Sequence, residues 1–186
     1  MKTIRISAEQ MNKRIARFRD LKPLPIQNAA IPEKARDVVY ARKLLSVVGL
    51  ETTTPISSGA PITGAAGMTM TLAVCPPGQG PGLHSHRETY ETFTVLKGRF
   101  EVRWNDDGSE GSVLELYDTI SFPPGVCRSF RNIGDGEGML QVIITGGVHD
   151  MADIDFAPKA KDEIEAVRNG LAAEFEKAGF TFTAGR

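Results

Sequence analysis

A change in hydrophobic periodicity limits the folds open to this chain of 186 residues. From about Met68 to His149, apolar and polar residues alternate with a period of two, as in MTMTLAV and RFEVRW. Further short segments, SVLEL, DTISF, CRSFRN and MLQVIIT, are separated by Gly, Pro, Asn or Asp. Such alternation is typical of half-buried strands, and many short strands between turns predict an antiparallel barrel or jelly roll.

The segment before these strands is predicted to begin with a short helix. Ser7 and Gln10 have the spacing of a capping box, in which each side chain bonds to the backbone of the other residue. Met11, Ile15 and Phe18 follow at helical spacing and predict one apolar stripe.

Two further helical patterns flank the strands. One covers about 33–48 and ends at Gly49, and the other covers about 158–178 and ends at Gly179. Between the first of these and the strands, ETTTPISSGAPITGAAG predicts a loop with at most one short edge strand. The predicted division, within one domain overall, is a helical and loop extension at 1–67 packed on a barrel at 68–149, and a helical extension at 150–186.

Composition and charge exclude several classes of protein. The formal net charge of −1 gives no general attraction to nucleic acid or to anionic membranes. The N-terminus lacks the apolar run of a signal peptide, and the longest apolar runs are too short to cross a bilayer. We therefore expect a cytoplasmic protein that binds neither nucleic acid nor membrane. Cys75 and Cys127 have no metal-binding spacing and are predicted to be free buried thiols.

The stretch GQGPGLHSHRETYETFTVLKG carries two of the three histidines in the chain. His84 and His86 are two residues apart, so on an extended segment both side chains point to the same side. Glu91 follows, and in a strand it shares a face with Phe93 and Val95. Two neutral imidazoles and one carboxylate form a facial set of ligands, which suits a divalent iron-type metal with open coordination positions.

The same stretch fits Gly-x5-His-x-His-x4-Glu-x6-Gly at every fixed position, from Gly78 to Gly98. It resembles the first motif of the cupin superfamily, whose members are small jelly-roll barrels with a metal in the interior. The stretch YDTISFPPGVCRSFRN resembles the second cupin motif, but Tyr117 stands in place of the first glycine of the motif and Arg128 in place of its metal-binding histidine. The resemblance covers about Met68 to Ile144 and implies a mainly β, cupin-type antiparallel jelly-roll barrel with helical N- and C-terminal extensions.

Arg128 cannot ligate a metal, because its guanidinium only donates hydrogen bonds and stays protonated. Two arrangements are open. In one, a metal on His84, His86 and Glu91 is accompanied by an anionic ligand that reaches Arg128. In the other, no metal binds and Arg128 pairs with Glu91. Two further interpretations are that Arg128 extends to the barrel mouth, or that His149 supplies a fourth metal ligand from a different position.

Beyond Arg128, three residues are predicted to contact a substrate. Gln141 interrupts an apolar strand and can hydrogen-bond a ligand if it faces inward, and Phe93 and Phe130 can line the cavity. Cys127 is predicted to point away from the pocket and is a poor nucleophile.

The first hypothesis is a cupin that binds Fe, Mn, Zn or Ni and acts on a small organic metabolite, which the charge of Arg128 predicts to be anionic. Oxygenase, isomerase and lyase chemistry all remain open, because the fold does not choose among them. The alternative is a non-catalytic small-molecule-binding cupin in which Arg128 anchors an anionic ligand and a metal is absent or structural. Cupins are often dimeric through the barrel sheets, so the resemblance also implies a homodimer.

Overall fold

The computed structural model describes residues 1–28, 30–50, 59–146 and 151–186, and two sheets form their centre. The strands are β1 (Lys43–Gly49), β2 (Ile62–Thr63), β3 (Met68–Cys75), β4 (His84–His86), β5 (Tyr90–Lys97), β6 (Phe100–Trp104), β7 (Glu110–Leu114), β8 (Thr119–Phe122), β9 (Arg128–Asn132), β10 (Gly138–Thr145) and β11 (Ile154–Phe156). One sheet has the order β2-β1-β3-β10-β5-β8 and the other β11-β4-β9-β6-β7. Neighbouring strands are antiparallel, except that β1 and β2 are parallel.

The hydrophobic core lies between the two sheets, where their inward-facing side chains meet. Phe93 on β5 contacts Phe130 on β9, with ring centroids 5.0 Å apart. Along β5, Glu91, Phe93 and Val95 are buried, and the residues between them are half-buried. The predicted barrel of alternating strands is therefore confirmed, and so are its helical flanks.

The helices are α1 (Ala8–Asn12), α2 (Glu33–Val39), α3 (Pro158–Val167) and α4 (Leu171–Lys177), with short 3-10 turns at Phe18–Asp20, Pro25–Asn28 and Met151–Asp153. Helices α2, α3 and α4 share a second apolar cluster with β11, around Ile164, Phe156 and Phe175. None of the described helices has the length and apolar character needed to cross a membrane.

The prediction of a helix over 33–48 was wrong in its second half, where the chain forms β1. The helix ends at Val39, and Tyr40 is already extended, with φ −134°. Two glutamines bind the backbone that leaves the helix: Gln79 donates to the carbonyl oxygen of Tyr40, and Gln27 donates to that of Ala41. Pairing with β3 then draws KLLSVVG into the sheet, and a short apolar run of this kind has no periodicity that separates strand from helix.

The first predicted helix forms, but it is shorter than the apolar stripe indicates. Ser7 and Gln10 make both bonds of the predicted capping box. The helix ends at Asn12, however, so Ile15 and Phe18 lie outside it, and both are exposed. No residue of α1 is buried, so no packing extends the helix beyond its cap.

The C-terminal extension contains two helices where one was predicted. Gly170 has φ +79° and separates α3 from α4. Ile164, Leu171 and Phe175 are buried, and Gly179, with φ +96°, follows the end of α4 as predicted.

Tyr117, which occupies the position of a motif glycine, has a left-handed backbone with φ +71°. The motif glycines Gly78, Gly98 and Gly125 also have positive φ, between 76° and 83°. A residue with a Cβ pays about 1–2 kcal/mol for this conformation. Tyr117 nevertheless holds the turn, because its N–H donates to the carbonyl oxygen of Val95 at 2.9 Å.

Candidate metal centre

The two neighbouring histidines lie together on β4 and point into the barrel, as predicted. His84 is 6% exposed and His86 is 2% exposed. β4 pairs on one side with β11, where Phe156 is opposite His84 and Ile154 is opposite His86, and on the other side with β9. The ring of Phe156 packs against the His84 imidazole, with centroids 5.4 Å apart.

Glu91 reaches the same point from the opposite sheet. Its Oε2 lies 3.5 Å from Nε2 of His84 and 3.7 Å from Nε2 of His86. The three residues each offer one ligand atom, and these atoms lie within 4.8 Å of one another. Residues of two sheets thus converge on one point inside the barrel, as the motif spacing predicted.

A backbone carbonyl determines which nitrogen of His84 carries the hydrogen. Nδ1 of His84 lies 2.9 Å from the carbonyl oxygen of Gly82. A carbonyl oxygen can only accept, so Nδ1 donates and, in the neutral ring, Nε2 has a free lone pair. That lone pair belongs to the atom that faces Glu91.

A longer chain of hydrogen bonds gives His86 the same tautomer. The hydroxyl of Thr89 donates to the Asp153 carboxylate at 2.5 Å, so its oxygen accepts from Nδ1 of His86 at 2.7 Å. Burial lowers the pKa of His86, and the ring is therefore neutral at neutral pH. Nε2 of His86 also presents a lone pair to the centre.

The Asp153 carboxylate is itself held in place from two sides. Its second oxygen accepts from the backbone N–H of Glu88 at 2.7 Å. Burial raises the pKa of Asp153, but its hydrogen bonds to His86, Thr89 and the Glu88 N–H outweigh burial and lower that pKa to about 2. Asp153 therefore remains an ionised acceptor across the neutral range.

The two Nε2 lone pairs and the Glu91 carboxylate form a set made only of acceptors. Acceptors this close repel one another unless a positive charge or a proton lies between them. Two imidazole nitrogens and one carboxylate oxygen are ligands that suit Zn, Fe, Mn and Ni. The chemistry of the three residues therefore fits a divalent metal ion.

Arg128 lies beside this centre and is fully buried, with 0% exposure. Its Nε donates to Oε2 of Glu91 at 2.9 Å, and its Nη1 donates to the carbonyl oxygen of Val126 at 3.1 Å. Nη2 has no hydrogen-bond partner among the described residues. Burial alone raises the pKa of the Glu91 carboxyl, but the charge of Arg128 and the interactions with His86 and His84 together outweigh burial and hold that pKa well below its usual range.

A cavity of about 300 Å³ opens onto the three candidate ligands. Its wall consists of these side chains and of mostly apolar ones from the two sheets and both terminal extensions: Leu24, Val39, Tyr40, Ala41, Leu44, Thr71, Pro81, Phe130, Val142, Ile144, Met151, Ile154, Phe156, Ala178 and Phe180.

Only one of the four predicted substrate-binding residues lies in this wall. Phe130 lines the cavity, whereas Phe93 is fully buried in the core against Phe122 and Phe130. Gln141 lies on the other face of β10 from the buried Leu140 and donates to Sδ of Met70 at 3.1 Å. Arg128 is behind Glu91 and is not among the lining residues. The predicted substrate contacts of Arg128, Gln141 and Phe93 therefore do not match the geometry of the cavity.

Two other predictions concern residues away from the cavity. Cys75 and Cys127 are free and buried, as predicted, and burial raises the pKa of Cys127 to about 11. His149 lies outside the described residues.

The residues that orient the histidines, and several that line the cavity, could not be predicted from the motifs. Thr89 lies inside the first motif, and its hydroxyl is the only local signal for its role. Asp153 is 64 residues from Thr89 in the sequence, and no local pattern connects the two. The cavity residues Leu24, Val39 and Phe180 come from the extensions, where the motifs give no information.

Replacing Asp153 with asparagine is expected to weaken metal binding about 10- to 100-fold, because it removes an acceptor behind a ligand. The amide can donate to Thr89, so that Thr89 no longer has to accept from His86 and the Nδ1–H tautomer is no longer imposed. Titration of the metal-free protein with Zn²⁺ measures the effect. Asp155→Asn, which removes a carboxylate that binds Thr183 instead, is the matched control, and equal affinities in the two variants would contradict the role of Asp153.

Two facing sheets around a buried His-His-Glu set define a small β-barrel with a candidate metal centre in its interior. The family model of the cupin domain matches residues 71–144, so this segment of the chain, which carries the three candidate ligands, is a cupin domain. No curated protein matches the chain in sequence.

Several solved structures are similar to part of the chain. A Bacillus halodurans protein is 21% identical with a TM-score of 0.44, and the match covers 47% of this chain and 69% of that one. A predicted oxalate decarboxylase from Thermotoga maritima is 22% identical with a TM-score of 0.39, covering 42% and 66%. KdgF from Halomonas sp. is 16% identical with a TM-score of 0.43, covering 48% and 78%. At these identities and scores the likeness says nothing about the activity of this chain.

Proposed function

We propose that this protein holds a divalent metal ion, Fe, Mn, Zn or Ni, on Nε2 of His84, Nε2 of His86 and the carboxylate of Glu91, and uses it on a small organic molecule in the cavity. The observation that carries the proposal is the convergence of one ligand atom from each of the three residues within 4.8 Å, while Nδ1 of each imidazole lies 2.7–2.9 Å from an oxygen outside the set. Three protein ligands leave coordination positions open.

When bound, the metal would supply a Lewis acid or a site for dioxygen, which leaves oxygenase, isomerase and lyase chemistry as candidates. The residues of the chain have separate parts in this proposal. Gly82 and Asp153 keep the hydrogen on Nδ1 of the two imidazoles, Asp153 acting through Thr89, so that Nε2 can serve as the ligand atom. Arg128 helps to keep Glu91 ionised and holds Oε2 of its carboxylate by a hydrogen bond.

In this proposal Arg128 binds Glu91 and does not contact a ligand in the cavity. A ligand carboxylate in the cavity finds no lysine or arginine among the described lining residues, so only the metal could offer it a positive charge. The expected homodimer remains a prediction, and it is independent of the assignment of the ligands.

A metal-free small-molecule-binding protein is the second candidate, and the Arg128–Glu91 pair favours it. With Nε of Arg128 at 2.9 Å from Oε2, the negative charge of Glu91 already has a partner in the absence of a metal. The same contact must weaken metal binding, since a guanidinium and a divalent ion would share one carboxylate.

Elemental analysis of protein purified without added metal or chelator separates the two candidates. The metal proposal expects close to one transition-metal ion per chain, or uptake of one on reloading the chelator-treated protein with Fe²⁺, Mn²⁺, Zn²⁺ or Ni²⁺. Protein that contains no metal as purified and takes up none of the four ions would overturn the proposal in favour of the second candidate.

A further inference from the structure

The cavity wall is almost free of charge. Of its eighteen lining residues, three are the candidate metal ligands, and most of the others are aliphatic or aromatic. Thr71 and Tyr40 are the remaining polar side chains, and no lysine or arginine is among the described residues of the wall. Tyr40 packs edge-on against Phe180, and burial raises the pKa of its phenol, so it stays neutral.

We infer that the cavity takes an uncharged organic molecule with an apolar body and a single oxygen function, and that this function lies at the His84, His86 and Glu91 end. The inference rests on the proposed function for the role of that end, whereas the apolar part depends only on the cavity wall. It replaces the expected anionic metabolite with an uncharged, mostly apolar molecule.

The position of Arg128 is the first argument against an anionic ligand. Arg128 is the closest cation to the triad, yet it is 0% exposed, and two of its nitrogens already donate to Glu91 and to the Val126 carbonyl oxygen. A ligand carboxylate in the cavity would lose its hydration without gaining an ion pair from the protein, which is costly in an apolar site.

The origin of the wall is the second argument. Apart from the triad, five lining residues come from the barrel segment and ten from the two terminal extensions; the five are Thr71, Pro81, Phe130, Val142 and Ile144. The extensions thus enclose the polar triad with aliphatic and aromatic groups. A volume of about 300 Å³ is near that of ten water molecules and lies at the lower end of the range for ligand pockets.

Primary alcohols of increasing length test the apolar part of the inference. Isothermal titration with butan-1-ol, pentan-1-ol and hexan-1-ol, on the protein as purified and after chelator treatment, should show affinity rising about four-fold with each methylene group. The alcohols are uncharged and carry one oxygen, so they match the inferred class. An affinity that does not change along the series would overturn the inference.

Hexanoate is the matched anionic probe, because it differs from hexan-1-ol only in its carboxylate. On chelator-treated protein, hexanoate should bind at least ten-fold more weakly than hexan-1-ol, since no metal is present to attract it. Tighter binding of hexanoate than of hexan-1-ol would show that a protein cation reaches the cavity and would overturn the inference.

Two adjacent residues of β10 provide a matched pair of variants. Ile144 lines the cavity, whereas Ile143 faces the opposite side of the sheet, at the register of Met70 and Thr92. Ile144→Trp should fill the cavity and lower hexan-1-ol affinity at least ten-fold, and Ile143→Trp should leave it within two-fold of the parent. Equal loss in both variants, or no loss in Ile144→Trp, would place the alcohols elsewhere and overturn the inference.

Failure of this inference can be told from failure of the proposed function. If elemental analysis finds no metal and no uptake, but the alcohol series and the Ile144→Trp loss are observed, the apolar ligand class stands and the metal assignment fails. If a metal is present but hexanoate binds the chelator-treated protein more tightly than hexan-1-ol, the metal assignment stands and the ligand class fails.

Discussion

His84→Ala and His86→Ala should each lower metal affinity by more than about 100-fold, because even the loss of a hydrogen-bond partner behind a ligand costs about 10- to 100-fold. Each change removes one of only three protein ligands, and the described residues place no other imidazole near the centre. Elemental analysis after equilibration with Zn²⁺ and dialysis should then find far less than one ion per chain in either variant.

The barrel should still fold in both variants, because its core lies between strands that are hydrogen-bonded independently of the histidines. Circular dichroism and a cooperative thermal transition check this point. Gln141→Ala, on the outer face of β10, is the control and should keep its metal. Unchanged metal content in both histidine variants would show that the ligands have been assigned to the wrong residues.

Arg128→His should have the opposite effect and tighten metal binding about 10- to 100-fold, since one charge-assisted hydrogen bond is worth about 1.5–3 kcal/mol. The change removes the guanidinium that occupies Oε2 of Glu91 at 2.9 Å and removes a fixed positive charge beside the metal. It also adds an imidazole at the position where the second cupin motif has its metal-binding histidine. Titration of the parent and the variant with Zn²⁺ measures the ratio of affinities.

A second readout separates the charge of Arg128 from the added ligand. Arg128→Gln removes the charge without adding an imidazole, so its metal affinity should lie between those of the parent and of Arg128→His. If all three proteins bind Zn²⁺ equally, Arg128 has no influence on the site, and the argument from its contact with Glu91 fails.

The triad could be predicted from the sequence because its geometry is local. His84 and His86 are two residues apart on an extended segment, and Glu91 is the first buried residue of the following strand, β5. Period-two alternation is enough to bring such residues together when both segments face one core. Arg128 and Glu91 are 37 residues apart, and alternation indicated only that Arg128 faces inward.

The contacts that complete the site could not be predicted, because they depend on tertiary packing. Whether Arg128 would bind Glu91 or a ligand remained open, and the packed structure shows the Glu91 contact. β1 was assigned to a helix because its apolar run carries no periodicity of its own, yet its Leu44 lines the cavity. The apolar character of the cavity depends on segments from both ends of the chain, and no motif links them.

The pairing of β11 with β4 joins the C-terminal segment to the two histidines. Asp153, at the start of that segment, holds His86 through Thr89, and Phe156 packs on His84. Coupling of this kind is reciprocal. If the docked segment strengthens metal binding, a bound metal stabilises the docked segment by the same free energy. Proteolytic lifetime would then follow metal supply, because a chain without its ion would release its C-terminal end to proteases more often.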